Sequence, residues 1–175
     1  MNEANDLKGG MPVDFGEVYK NSEKKVYRFL LGLSQNESLA EELTEETFYQ
    51  AFLHINQFEG RCSIDTWLCQ IAKNLYFKEM KRRKRFDGKE IDLNHSDTGE
   101  NLFLLLEDKQ KTIEIHRILR TLSSTYKEVF TLHIFAELTF KEIAEIYDKS
   151  ESWAKMSFYR AKAELIKKME DQNED

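Results

Sequence analysis

The sequence predicts an all-α protein built as two small helical domains joined by a flexible linker. Three observations predict it. The chain has one Pro and seven Gly in 175 residues, so helix breakers are scarce. Long stretches are rich in Glu, Lys, Leu and Ala, which cost least in a helix. No run alternates β-branched residues as a half-buried strand does. With 41% hydrophobic residues the chain can bury real cores, either as one ordinary domain or as two small ones. Composition along the chain favours two, with an N-terminal domain over 1–86, a linker over 87–108 and a C-terminal domain over 109–175.

In the first domain, Asp14 to Arg85 reads as consecutive helices with breaks near Gly32 to Asn36 and near Phe58 to Ser63. The segment from Leu39 onward is expected to bury Leu39, Leu43, Phe48 and Phe52 and to point Glu41, Glu42, Glu45 and Glu46 outward. Solvation accounts for such a face. It has no Lys at i,i+4 to relieve the repulsion, however, and a basic protein partner would relieve it. The turn Phe58-Glu59-Gly60-Arg61-Cys62-Ser63 is polar, contains a glycine and lies beside Phe58 and Trp67. An unstacked base is held by groups of this kind, although buried aromatics also serve as plain core. The following helix has Trp67, Leu68, Ile71, Ala72 and Leu75 as its apolar face and ends in the basic run Lys81 to Arg85. Cations at a helix C-terminus are favoured by the helix dipole, and the same cations form a stripe that fits phosphates.

The linker concentrates turn-forming types, among them Asp87, Gly88, Asn94, Ser96 and Gly99. Helical periodicity then resumes. Thr139 with Glu142 forms a capping box that opens an amphipathic segment through Tyr147, with Ile143, Ala144 and Tyr147 on one face. That helix is expected to stop around Asp148 and Lys149. Ser150 or Ser152 then caps a second segment, in which Ala154, Phe158, Ala161 and Leu165 recur at helical spacing and Lys155, Arg160 and Lys162 lie outside. Two helices joined by a tight turn, the second carrying outward cations, make a helix-turn-helix or a plain helical hairpin.

Other classes find little support. The net charge of −6 taken alone argues against a nucleic-acid partner, but the charge is segregated. Four Glu and no cation lie between Ser38 and Gln50, and seven Lys or Arg lie between Lys78 and Lys89. Acid and base at different places suggest two different partners. No secretory pattern opens the chain and no window approaches the roughly 18 apolar residues a membrane span needs, so a cytoplasmic protein is expected. Cys62 and Cys69 lack ligand-spaced partners, and His54, His95, His116 and His133 are scattered. No metal site, disulfide framework, cofactor or catalytic constellation is therefore expected.

The order of these signals carries a family resemblance. The acidic AEELTEETF of residues 40–48 precedes FEGRCSIDTWLCQIAKNL of 58–75. A basic run, a polar linker and LTFKEIAEIYDKSESWAKMSFYRAKAEL of 138–165 follow. Over nearly its whole length the chain resembles the extracytoplasmic-function (ECF) sigma factors of bacterial RNA polymerase. The resemblance implies a non-enzymatic factor that binds core polymerase, through the clamp of its largest subunit, at Glu42, Glu45 and Glu46. It implies recognition and melting of the minus-ten promoter element by Phe58, Arg61, Ser63 and Trp67, continued along the helix by Asn74, Lys78 and Arg82. It assigns the minus-thirty-five element to Ser150, Lys155, Met156, Tyr159 and Arg160. Promoter DNA is the second partner, an anti-sigma protein a third, and there is no small-molecule substrate. Where the family usually has a glycine and an aliphatic residue in the helix-turn-helix turn, this chain has Asp148 and Lys149, and Ser152-Trp153-Ala154 replaces Gly-Thr-Val. Two other readings are a conventional helix-turn-helix regulator that binds DNA without core polymerase and a structural adaptor that binds no DNA.

Overall fold

A computed structural model describes residues 14–87 and 117–173. Asp14 caps α1 (Phe15–Ser34), its Oδ1 accepting from the Gly16 and Glu17 amides. Asn36 opens α2 (Glu37–His54) by accepting from the Leu39 amide at 2.9 Å. A short 3-10 turn, Ile55–Gln57, leads to the loop before α3 (Ile64–Asp87). Beyond a helical turn at 117–119 come α4 (Ser124–Ile134), α5 (Phe140–Tyr147) and α6 (Glu151–Asn173). All regular structure among the described residues is helical, as the composition predicts. Of the expected linker, only Asp87, the last residue of α3, lies within the described residues.

Helices α1, α2 and α3 pack on one another, and α4, α5 and α6 do the same. The two groups also meet, α1 against α4 and α3 against α5, and the buried residues of both form one apolar cluster. The contact of α1 with α4 explains the end of α1. Residues 29 to 35 are buried without interruption, which a helix shows only when neighbours cover it all round. Gly32 makes this possible, because a Cβ built there would come 2.7 Å from Thr131 Cγ2 and 3.0 Å from the Phe135 ring.

The break expected near Gly32 to Asn36 falls at Gln35 and Asn36, because Gly32 is a packing residue inside α1 and the chain turns only where Gln35 takes a left-handed φ of 53°. One sequence expectation is corrected here. Phe52, expected in the core, is 59% exposed. It sits in the last turn of α2, where the Phe15 ring at the start of α1 meets it edge-on at 5.4 Å. Leu39, Leu43 and Phe48 are buried as expected.

The helix-turn-helix forms as its sequence specifies. Thr139 and Glu142 make both halves of the capping box, and Ser150 Oγ accepts from the Trp153 amide at 3.1 Å, fixing Ser150 as the cap of α6. Ala154, Phe158, Ala161 and Leu165 are all buried. Asp148 stands at φ 51° and ψ 49° and closes α5 with its amide. An aspartate tolerates this conformation better than most side chains, yet still with strain that glycine lacks. Relief of left-handed strain, roughly 1 to 2 kcal/mol, less the unfolded-chain entropy glycine adds, about 0.4 to 1 kcal/mol, leaves Asp148→Gly expected to stabilise the fold, read as a higher urea midpoint with an unchanged slope. A lower midpoint would mean that the Asp148 side chain contributes more than its backbone costs.

Candidate nucleic-acid interface

On α6, Lys155, Met156, Tyr159 and Arg160 are all exposed, opposite the buried Ala154, Phe158 and Ala161. Arg160 and Met156 line an open cleft whose other wall is the start of α4, at Ser123, Thr125 and Tyr126, with Ser150 at one end. Lys155 is tied to Glu151 one turn earlier, 2.7 Å from its carboxylate. The pair is about half exposed on both sides, so water and salt screen it and a phosphate can displace it. Tyr159 leaves its ring at the surface, 6.3 Å from Phe140. The Phe140 ring in turn stacks on His133, whose Nδ1 lies 2.8 Å from the Leu138 carbonyl oxygen.

The loop before α3 is shaped by Gly60, whose φ of 68° favours glycine while the space around it is open. Arg61 projects with its side chain 84% exposed and meets Glu59 at 2.5 Å. Phe58 and Trp67 are half-buried against each other, their ring centroids 5.1 Å apart. Ser63 caps α3, accepting from the Thr66 amide at 3.2 Å, and its hydroxyl donates to Glu142 Oε1 of α5 at 2.6 Å. Along α3, Trp67, Asn74, Lys78 and Arg82 fall on one stripe at spacings of seven, four and four, the helical repeat. Asn74, Lys78 and Arg82 are exposed. Arg82 grips Glu79 with two nitrogens at 2.7 Å, and Arg83 takes the same carboxylate at 2.7 Å. Those hydrogen bonds, Arg82's foremost and then Arg83's against the effect of burial, hold the Glu79 carboxyl down to about 2. Glu79 thus stays charged at any physiological pH and orients both guanidinium groups.

On α2, Glu42 and Glu45 are exposed, while Glu46 is half-buried and accepts from Gln50 Nε2 at 2.7 Å. All three, with Tyr49, line one wall of a groove whose other wall carries Lys78, Glu79 and Arg82 of α3. The acidic and basic stretches that are separate in the sequence are therefore neighbours in space, because α2 packs directly on α3.

Sequence reasoning missed the polar groups at the join between the two helical sets. Glu142 reads only as a cap, yet it also reaches Ser63, 79 positions away. Tyr147 reads as an apolar-face residue. It donates its hydroxyl proton to buried Glu128 and receives the Lys73 ammonium 4.0 Å from its ring centroid. Burial pushes the Tyr147 hydroxyl up, with the Glu128 charge acting the same way. Gln35 accepts from Arg120 Nε at 3.1 Å. Nothing local announces such contacts.

Comparison with known proteins agrees with this geometry. Residues 18–86 match the model for Sigma-70 region 2, and residues 112–165 match that for Sigma-70, region 4. The ECF RNA polymerase sigma factor SigM of Bacillus subtilis is 30% identical over 85% of this chain and 91% of its own length. The RNA polymerase sigma factor YlaC of the same organism is 27% identical over 91% and 94%. Among solved structures, the sigma factor RpoE of Bartonella quintana, in complex with the anti-sigma factor NepR, superposes with a TM-score of 0.72 at 21% identity, covering 90% of this chain and 97% of that one.

Proposed function

This chain belongs to the ECF RNA polymerase sigma factors, initiation factors that bind core polymerase and direct transcription from promoter DNA, and from that premise we propose how its surfaces divide the work. The carboxylates of Glu42, Glu45 and half-buried Glu46 on α2 bind a basic surface on core polymerase, the clamp of its largest subunit. The minus-ten element is held by the loop and stripe of α3. Phe58, Arg61, Ser63 and Trp67 take the unstacked strand, and Asn74, Lys78 and Arg82 run along the backbone. The minus-thirty-five element lies on α6 against Lys155, Met156, Tyr159 and Arg160, with Ser150 at the helix start. In this reading residues 1–86 and 109–175 are the two working domains and 87–108 joins them. The protein acts in the cytoplasm without a chemical step of its own. No described helix is long and apolar enough to cross a membrane. Since the superposed RpoE structure holds an anti-sigma factor, we assign this chain a regulator of the same kind.

One observation carries this division. The acidic wall of α2, the aromatic and basic stripe of α3 across the groove from it, and the outward face of the recognition helix are three surfaces of different chemistry, each of the kind its partner needs. Polymerase requires charge complementarity, a melted strand requires stacking and phosphate contacts, and duplex requires a helix that fits the major groove. The test is an electrophoretic shift on promoter duplex with and without core polymerase. Shift and run-off transcripts are expected only when both proteins are present. A specific shift by the chain alone, with no transcripts when core is added, would establish the conventional helix-turn-helix regulator instead.

A further inference from the structure

Arg82, assigned above to the minus-ten strand, is held in place by its own helix. On the core face of α3, Leu68, Ala72, Leu75 and Tyr76 pack inward. The next position of that face, i+4 from Leu75 and i+3 from Tyr76, is Glu79. An apolar residue there would continue the core. Glu79 instead turns its carboxylate to two arginines. Its Oε2 accepts from Arg82 Nε, and its Oε1 accepts from Arg82 Nη2 and Arg83 Nε, each at 2.7 Å. The Glu79 side chain is 13% exposed, against 60% for Arg82 and 33% for Arg83, so the carboxylate lies under the guanidinium groups.

A solvated ion pair on a helix surface leaves both side chains exchanging between rotamers and is screened by salt. The Glu79 cluster differs in geometry. Two parallel bonds fix the plane of the Arg82 guanidinium, and the third draws Arg83 to the other side, since neighbouring positions stand about 100° apart around a helix. The fixing matters because Glu42, Glu45 and Glu46 line the opposite wall of the same groove and attract the same cation. With both oxygens engaged, Glu79 keeps Arg82 on α3 and leaves the α2 carboxylates for the polymerase. Contacts to phosphate carry no base information, but they set the register in which a strand meets the groups that do. A fixed Arg82 therefore governs where the strand lies over Phe58 and Trp67. The negative charge within the stripe also lowers its attraction for any other nucleic acid.

We propose that Glu79 is a positioning residue for promoter reading, holding Arg82 and Arg83 so that the melted minus-ten strand is taken in one register and other sequences are taken weakly. This rests on the assignment of the α3 stripe to that strand proposed above. The consequence has opposite signs for the two kinds of DNA. Loss of the carboxylate releases two mobile cations, which weakens the cognate strand and strengthens an unrelated one. A role limited to supporting α3 would weaken both alike.

The test uses the full chain assembled with core polymerase and two forked DNA probes. One carries the minus-ten element of a promoter that the factor transcribes, and the other carries that element scrambled. Glu79→Gln keeps the shape of the side chain and removes its charge. The variant is expected to bind the cognate probe about threefold to tenfold more weakly, the scale of ordering a long side chain afresh, and the scrambled probe at least as tightly as the wild type does. Its log affinity should fall more steeply with log salt, the slope growing by about 0.7 for one further phosphate contact on a single strand. Circular dichroism checks that the helices are kept. Glu79→Asp, too short to span both arginines, stands in if Glu79→Gln fails to fold, with the same loss of discrimination and an unchanged salt slope. Equal weakening on both probes, or an unchanged ratio between them, overturns the inference. Lys78→Ala combined with Arg82→Ala separates it from the assignment beneath it. If that double variant binds the cognate probe as the wild type does, the α3 stripe does not hold the strand, and the positioning role falls with it. If the double variant loses the cognate probe while Glu79→Gln keeps the wild-type ratio, only the positioning role falls.

Discussion

Reversing Glu45 and Glu46 together to Lys is expected to weaken association with core polymerase by about a hundredfold or more. Like charges facing each other across an interface cost up to several kcal/mol, and about 2.7 kcal/mol already corresponds to a hundredfold. Both side chains line the same acidic wall, Glu45 exposed and Glu46 partly buried. The change therefore turns a stretch of four glutamates into a mixed surface. The fold itself should change little. Glu45 supports no neighbour, and Glu46 gives up one hydrogen bond from Gln50, worth about 0.5 to 1.5 kcal/mol. Some repulsion from Lys78 and Arg82 across the groove adds to that cost, and a thermal melt measures it directly. Binding is read by fluorescence anisotropy at low salt, where screening is least. Unchanged affinity in a folded double variant would remove the acidic wall from the polymerase interface.

What the sequence made legible follows from how far each signal reaches along the chain. The helix-turn-helix is written within some thirty residues. A capping box, a cap serine and four apolar residues at helical spacing each act over a single turn, and all of them appear where the sequence puts them. Gly32 stands inside α1 although glycine in a helix costs about 0.5 to 1 kcal/mol relative to alanine. Here close approach of Thr131 and Phe135 offsets that cost, and both partners lie about a hundred positions away. The uninterrupted apolar run Phe29-Leu30-Leu31-Gly32-Leu33 was the available sign, since a helix apolar all round must be covered all round. Phe52 is where the reading fails. Its spacing matches the core face, but the face runs out where α1 begins. Of the proposed site residues, exposure could be anticipated for those on α6 from the buried face alone. The engagement of Ser63 by Glu142 depends on how the two halves meet, which no window of sequence contains.

Promoter reading is expected to respond differently to two neighbouring cations on α6. Arg160 lies in the cleft between the start of α4 and the recognition helix, and its planar guanidinium can grip guanine by two acceptors in the major groove. A contact of that kind is worth about 1 to 3 kcal/mol of discrimination, so Arg160→Ala should lower transcription from the cognate promoter by about 5- to 150-fold and relax preference at particular minus-thirty-five positions. Lys155 is a point charge already satisfied by Glu151 at 2.7 Å. When it moves to a phosphate it exchanges one anion for another, so it adds affinity through counterion release and little through base choice. Lys155→Ala should therefore weaken all promoters alike and flatten the salt dependence by about one counterion, a slope change near 0.9 in log affinity against log salt. Transcription assays on a panel of single-base minus-thirty-five variants, repeated across a salt series, read both effects at once. Association with core polymerase should be untouched by either change, because the acidic wall of α2 is elsewhere. If the double alanine variant transcribes every promoter as the wild type does, α6 is not the recognition helix and the α5–α6 pair is a structural hairpin.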